Sequence, residues 1–362
     1  MKVIFVAPLP GNGGIASWAN NYRQHVGNDV ELISVDVSKR RNKQLGVNKF
    51  RIVCAGILDM FEAISDMKKT IKSNPDAKIL HATTSGGLGT IRDYLIARIA
   101  KKKGLKTILH CHYGNLPEII RSRNSLSRRL KKTFNLYDQI WVLDSNSQKT
   151  LIEENIESEV LVVPNFIDVP QNEIIPETDF KHIGYIGNII GSKGVLDLIS
   201  AVSKMDNGTK LTIIGPYAIG MQEKIQEILK TSSNNNIVLL GKMPNELAVK
   251  ELSKFDIFAL PTYFKSEAFP ISILEAMSRA KLVISCNRAA IPDMLTDIDG
   301  EKCGILVAPK SPEEIRNAIV WCQEHVDEAR RMCEKAYEKV NMVYKTERVI
   351  RLYADCYSKL LK

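Results

Sequence analysis

In the segment "SEAFPISILEAM" two carboxylates, Glu267 and Glu275, flank Pro270 with seven residues between them. Proline suits the start of a helix. The spacing therefore predicts a helix from about Pro270, with Glu267 on the entering loop and Glu275 in the second turn. A helix N-terminus offers free N–H groups and a partial positive charge, which suit a diphosphate. A loop carboxylate can accept hydrogen bonds from sugar hydroxyls. One further along the helix can hold the vicinal diol of a ribose, which donates twice to one carboxylate. Taken alone, the pair reads equally well as a capping acid and a solvated helix residue.

A second signal lies upstream, where "GYIGNIIGSKGVLDLISAV" sets glycines around Lys193. Glycine lets the backbone approach a phosphate, and lysine supplies a compact positive charge. This is not a Walker A loop: Gly187 to Gly191 is one residue short, and Gly194 stands where Ser or Thr is required. A third glycine-rich turn opens the chain, in "VIFVAPLPGNGGIASW". Here Gly11-x-Gly13-x-x-Ala16 fits a dinucleotide-binding turn, with Asp36 about where its ribose-binding acid would stand. Pro8-Leu9-Pro10 separate the strand from the first glycine, however, and nothing later supports a nicotinamide site. The nicotinamide reading is set aside.

His110 and His112 share a strand face only if the strand continues through both. Cys111 points the other way, which leaves too few ligands for zinc. From the residues alone His112 reads as well structural as functional. His81, ahead of "ATTSGG", is a weaker candidate of the same kind.

The elements that must position these groups alternate between strand and helix. Strands are expected at 2–7, 30–35, 78–81, 106–111, 139–143 and 160–163, then at 182–186, 210–214, 237–240, 257–259 and 282–285, with a helical tail from 312. Such alternation indicates βαβ units and parallel sheets. The proline-rich stretch "VVPNFIDVPQNEIIPET" marks a hinge at about 164–178. Two doubly wound domains facing a cleft are expected, with ligands outside the carboxyl ends of the strands.

Composition narrows the class. The chain has 362 residues, 44% apolar and 25% charged, as in ordinary globular proteins. Seven scattered cysteines without a C-x-x-C pair argue against a disulfide framework and point to a reducing, cytoplasmic compartment. The opening apolar run, 3–9, is too short for a signal peptide, and no run approaches the roughly 20 apolar residues of a membrane span. The net charge of +9 lies entirely in residues 1–170, with 25 basic against 16 acidic residues; 171–362 carries 25 of each. The window from Lys101 to Lys132 holds ten basic residues and one acid, Glu118. From Leu126, the apolar Leu130, Phe134 and Tyr137 fall on one helical face and Arg128, Arg129, Lys131 and Lys132 on the other. That is either an ordinary surface helix or a cationic face for anionic lipid. No aromatic-rich surface or DNA-binding motif accompanies the charge, so nucleic acid is not expected.

The order "GNIIGSKG", "IIGPY", "LLGKM", "FDIFALPTYFKSEAFPISILEAM", "IPDML", "CGILVAP" resembles the nucleotide-sugar half of family 4 (group 1) glycosyltransferases, retaining enzymes with the GT-B fold. In the first half "PLPGNGGIASW", "HCHYGN" and "VVPNFID" are similar to that family's elements in the same order. The resemblance spans about 1–345. It implies an acceptor-binding domain at 1–165, a nucleotide-sugar domain at 178–345, and a terminal helix at 346–362 packing back on the first domain.

Carried over residue by residue, Glu275 would bind the donor ribose, Glu267 the donor sugar and Lys193 the diphosphate. His112 would face the reacting sugar. Gly13 and Gly14 would lie close to the diphosphate, and Asn188, Ala268, Phe269, Pro270 and Ile271 would complete the donor site. The catalytic set would be His112, Glu267 and Lys193. No cofactor beyond a UDP- or GDP-sugar is implied, and no metal ion or D-x-D triplet to hold one. A glycan or polyprenyl-linked acceptor is implied, with the basic window on the inner face of the cell membrane.

Three departures stand out. Asn188 replaces the family's usual Arg, so that Lys265 or Arg288 would have to supply the missing charge. Ala268 and Ala289–Ala290 replace glycines. The alternatives are an epimerase or hydrolase of the same fold, or an inactive nucleotide-sugar-binding partner.

Overall fold

The computed structural model describes residues 1–10, 14–38, 49–87, 89–170 and 178–362, the side chains of 49–53 excepted. The chain divides into two compact units, Met1–Asn165 with Glu347–Lys362, and Phe166–Thr346.

The first unit is built on a six-stranded parallel sheet of β1 (Lys2–Ala7), β2 (Glu31–Asp36), β3 (Ile79–Thr84), β4 (Lys106–Cys111), β5 (Gln139–Val142) and β6 (Glu159–Val162), in the order β2-β1-β3-β4-β5-β6. Its helices are α1 (Gly14–His25), α2 (Lys49–Ser73), α3 (Gly89–Lys102), α4 (Leu116–Arg121), α5 (Ser125–Phe134) and α6 (Ser145–Glu153). The central strands are covered on both sides, so "VIFVA" in β1 is apolar throughout and fully buried. Side chains alternate across the sheet. Leu80, Ala82 and Leu109 join Met67 and Ile71 of α2, Ile96 of α3 and Phe134 of α5 in one core. Starts of helices are set by short polar residues: Asn124 accepts from the Ser127 N–H at 2.9 Å and Asp144 from the Ser147 N–H at 2.7 Å.

On the sheet's other face, Phe5, His81 and His110 meet Trp18 of α1, Phe5 and His81 also meet Tyr22, and Trp141 packs on His81 and His110. The last helix of the chain (Thr346–Leu360) adds Tyr353 and Tyr357, whose rings lie 5.2 and 5.6 Å from that of Trp141. Tyr357 Oη is 2.6 Å from His81 Nδ1 and 2.9 Å from Tyr22 Oη. His81, expected near a ligand, is thus fully buried and engaged by the last helix. Its strand is central, and both faces are covered.

The second unit repeats the plan with β7 (His182–Ile186), β8 (Lys210–Ile214), β9 (Ile237–Gly241), β10 (Ile257–Leu260), β11 (Leu282–Cys286) and β12 (Ile305–Val307), in the order β12-β11-β10-β7-β8-β9. Its helices are α7 (Val195–Val202), α8 (Met221–Lys230), α9 (Asn245–Leu252), α10 (Ile271–Met277), α11 (Ile291–Met294), α12 (Pro312–Glu324) and α13 (Val326–Lys339); the last helix of the chain is α14. The three-residue edge strand β12 was not anticipated; "ILV" is too short to carry a strand pattern.

Candidate functional site

The carboxyl ends of β7 and β10 deliver two loops that meet. After β7 the chain passes Gly187, Asn188 and a single 3₁₀ turn, Gly191–Lys193, before Gly194 opens α7. Gly194 has φ +73°, and a Cβ there would lie 2.1 Å from the Pro261 carbonyl oxygen, so only glycine lets the two loops approach. The Tyr263 N–H donates to the Ser192 carbonyl at 2.9 Å and fastens them.

Across this seam Lys193 Nζ stands 3.1 Å from Glu267 Oε2, with both side chains largely sheltered. The Thr262 hydroxyl lies 3.4 Å from the same oxygen. The backbone around Glu267 is held by its own N–H to the Phe264 carbonyl and by the Ala290 N–H to the Ala268 carbonyl, at 2.9 and 3.1 Å. Phe269 and Pro270 are buried, the Phe269 ring 5.5 Å from that of Tyr344, so they anchor the loop from beneath. Pro270 precedes α10 and gives it no side-chain cap. Ile271 opens that helix, half-buried.

Glu275 falls in the second turn of α10. Burial pushes its carboxyl above the usual range, opposed by the Arg279 charge and a hydrogen bond with Asn245. Asn188 is exposed, and its carbonyl accepts from the Tyr185 hydroxyl at 2.8 Å. Of the two residues expected to compensate for it, Arg288 directs its guanidinium to the Lys265 carbonyl, while Lys265 itself is exposed.

In the first unit, His112 continues the β4 ladder through its N–H to the Thr84 carbonyl at 2.8 Å. That continuation puts His110 and His112 on one face, ring centroids 4.1 Å apart, with Trp18 4.4 Å from His112. Burial lowers the His112 pKa to about 3, so its imidazole is neutral, and Nε2 is buried without a hydrogen-bond partner. Gly14 begins α1 exposed, with nothing within 4 Å of where a Cβ would stand; Gly13 lies outside the described residues. Asp36 accepts from the Leu9 N–H at 3.1 Å and from the N–H and hydroxyl of Ser38, each at 2.9 Å. Its carboxylate is part of the turn after β1 and not of a ribose site.

Sequence reasoning passed over Thr262 and Asn245, which hold the two glutamates; neither belongs to a recognisable spacing. It also expected no D-x-D triplet, but Asp297-Ile298-Asp299 is one. There Asp297 Oδ1 accepts from the N–H groups of Asp299 and Glu301 at 2.9 and 2.7 Å, and Oδ2 pairs with Lys335 at 3.4 Å, so the triplet shapes a turn. Among the described residues no cluster of three or more His, Cys, Asp or Glu could hold a metal ion.

Two parallel sheets with ligand-type loops at the carboxyl ends of their strands are the GT-B plan. The chain superposes on HepE from Anabaena, solved with UDP, with a TM-score of 0.70 over 99% of this chain and 100% of that one at 16% identity. It superposes on the lipopolysaccharide outer core galactosyltransferase WaaB with a TM-score of 0.71 over 99% and 100% at 15% identity. Its fold is therefore GT-B. Residues 180–325 match the model of the family Glycosyl transferases group 1. The D-rhamnosyltransferase WbpZ of Pseudomonas aeruginosa is 26% identical over 160 residues, 44% of this chain and 40% of that protein. The putative teichuronic acid biosynthesis glycosyltransferase TuaC of Bacillus subtilis is 23% identical over 151 residues, 40% and 35% of the two chains. The match thus spans less than half the length of either relative.

Proposed function

We propose that this protein is a retaining glycosyltransferase that moves a sugar from a UDP- or GDP-sugar to a glycan or polyprenyl-linked acceptor, in bacterial surface polysaccharide or glycolipid synthesis. The observation that carries the reading is the Lys193–Glu267 pair, seated where two strand-end loops converge beside α10 and Glu275. Cleaving the anomeric bond leaves negative charge on the diphosphate, and Lys193 stabilises it electrostatically without a metal ion. Glu267 accepts from the sugar hydroxyls and Glu275 from the ribose diol. His112, neutral and with Nε2 unpartnered, is the first unit's residue for the reacting sugar. Retention follows from same-face attack guided by the leaving phosphate, as the family resemblance implies.

The enzyme works in the cytoplasm against the inner face of the membrane. Exposed Arg128, Arg129 and Lys132 on α5 support that reading, with Lys132 and Arg98 both near the Tyr94 ring, at 5.7 and 5.8 Å. Lys131 and Arg121 belong to internal pairs with Glu154 and Glu153 and add less. Among the described residues no helix is long and apolar enough to cross a membrane.

Saturation-transfer NMR with UDP-, GDP- and ADP-sugars, run beside Glu275→Ala, tests the donor site. Binding of one donor, lost in the variant, is the expected result. No binding to any donor overturns the reading in favour of an inactive partner, with Asn188 as its basis. Release of free sugar or an epimer at full rate without an acceptor identifies a hydrolase or epimerase instead.

A further inference from the structure

Helix α2 carries a face that the donor site does not use. Ile57, Leu58 and Phe61 are 45%, 56% and 59% exposed, one turn apart on the same side of the helix. Large apolar side chains singly exposed are ordinary, but three neighbours on one helix face are not. The same outward side continues through Ser65 to Lys68, Lys69 and Lys72, of which Lys69 is paired at 3.6 Å with Asp66, whose side chain is 39% exposed. The C-terminal half of α2 seats Met67 and Ile71 in the core. At 25 residues α2 is about 37 Å long, against about 21 Å for the 14 residues of adjacent α3. At the start of α3, Ile91 is 40% exposed.

We infer that this face of α2 docks the protein on an anionic bilayer, with Ile57, Leu58 and Phe61 entering the boundary between headgroups and acyl chains and Lys68 and Lys69 meeting the headgroups. An apolar cluster continuous with cations along one helix face is the pattern of an interfacial helix. A protein partner would be matched by apolar contact alone and gives no reason for the lysines to follow on the same face. The inference rests on the membrane reading above for its occupant and not for its residues, which lie on a different helix from the basic window.

The test is co-sedimentation of the full chain with vesicles of phosphatidylglycerol and phosphatidylcholine, and with phosphatidylcholine alone. Ile57→Ser/Leu58→Ser/Phe61→Ser is compared with Arg128→Gln/Arg129→Gln/Lys132→Gln. All six positions are exposed, so the melting curves should match that of the parent chain. The expected result is binding to the anionic vesicles that falls at least about tenfold in the α2 variant. In the α5 variant it should weaken without being abolished. Unchanged binding in the α2 variant with loss in the α5 variant overturns this inference and leaves the basic-window reading intact. Failure of the parent chain to bind either vesicle overturns both. A lipid-free dimer that the α2 variant dissolves overturns it in favour of a second copy of the chain.

Discussion

Lys193 and Glu267, from loops that follow different strands, form an ion pair of 3.1 Å in which each charge already has its partner. A diphosphate therefore does not meet a bare lysine. On the proposed reading it would exchange with Glu267 for Lys193, and that exchange would free the carboxylate for sugar hydroxyls.

Removing the ammonium while keeping the stem should separate the two roles. Lys193→Met is expected to lower kcat by about 100- to 1,000-fold, the usual loss when a group aimed at developing charge is deleted. Lys193→Arg should retain part of the activity. Steady-state kinetics with the donor found by NMR check this, and an unchanged kcat for Lys193→Met would remove Lys193 from catalysis.

The raised pKa of Glu275 gives a pH dependence with a defined sign. If Glu275 holds the ribose diol as proposed, protonation takes one acceptor from it, so donor affinity should fall as pH drops through a midpoint above the ordinary 4.5 of a glutamate. Stability runs the opposite way. Because the folded pKa lies above the unfolded one, this group favours the folded state most below its ordinary pKa, and the benefit is lost as pH rises through the raised value. Glu275→Gln should therefore melt higher than the parent at neutral pH, with the gap closing in acid, while losing donor affinity. Melting and titration calorimetry across pH read both effects.

Asn188 leaves the β7 exit exposed and without the second cation of the family pattern. Asn188→Arg should tighten donor binding about tenfold through a charge-assisted contact. An unchanged Kd would show that the diphosphate site needs no further charge.

Tyr357 joins the last helix to the sheet through His81 and Tyr22. Tyr357→Phe keeps the packing but strands His81 Nδ1, whose ring already has Nε2 buried without a partner. The expected cost is about 1–3 kcal/mol, seen as an earlier chemical unfolding transition. An unchanged transition would mean that these hydroxyl bonds contribute nothing net.

Much of this architecture could be read from the residues. Buried apolar runs such as "VIFVA" and "LVISC" identify strands of a covered sheet, and both βαβ series were evident from their alternation. The edge strand β12 escaped because three residues have no period. Glu267 and Lys193 were each visible in a motif, but their pairing depends on how close two loops come, which Gly194 permits and no spacing announces. Asp36 misled because a carboxylate after a strand suits a ribose as well as the turn it actually closes. His81 and Tyr357 look like a strand-end histidine and a residue of an amphipathic helix until the fold joins them.

Glu347–Lys362 completes the unit that Met1 begins, so the second unit is an insertion within the first. Domains usually fold in the order in which they emerge during translation. Here the second unit is complete in sequence before the first. The second unit has all its residues once Thr346 has left the ribosome, whereas the first still lacks the Tyr353 and Tyr357 rings that pack on Trp18, Tyr22 and Trp141. Until α14 is made, that aromatic cluster lacks two of its rings, and a truncation before Tyr353 should leave the cluster partly open.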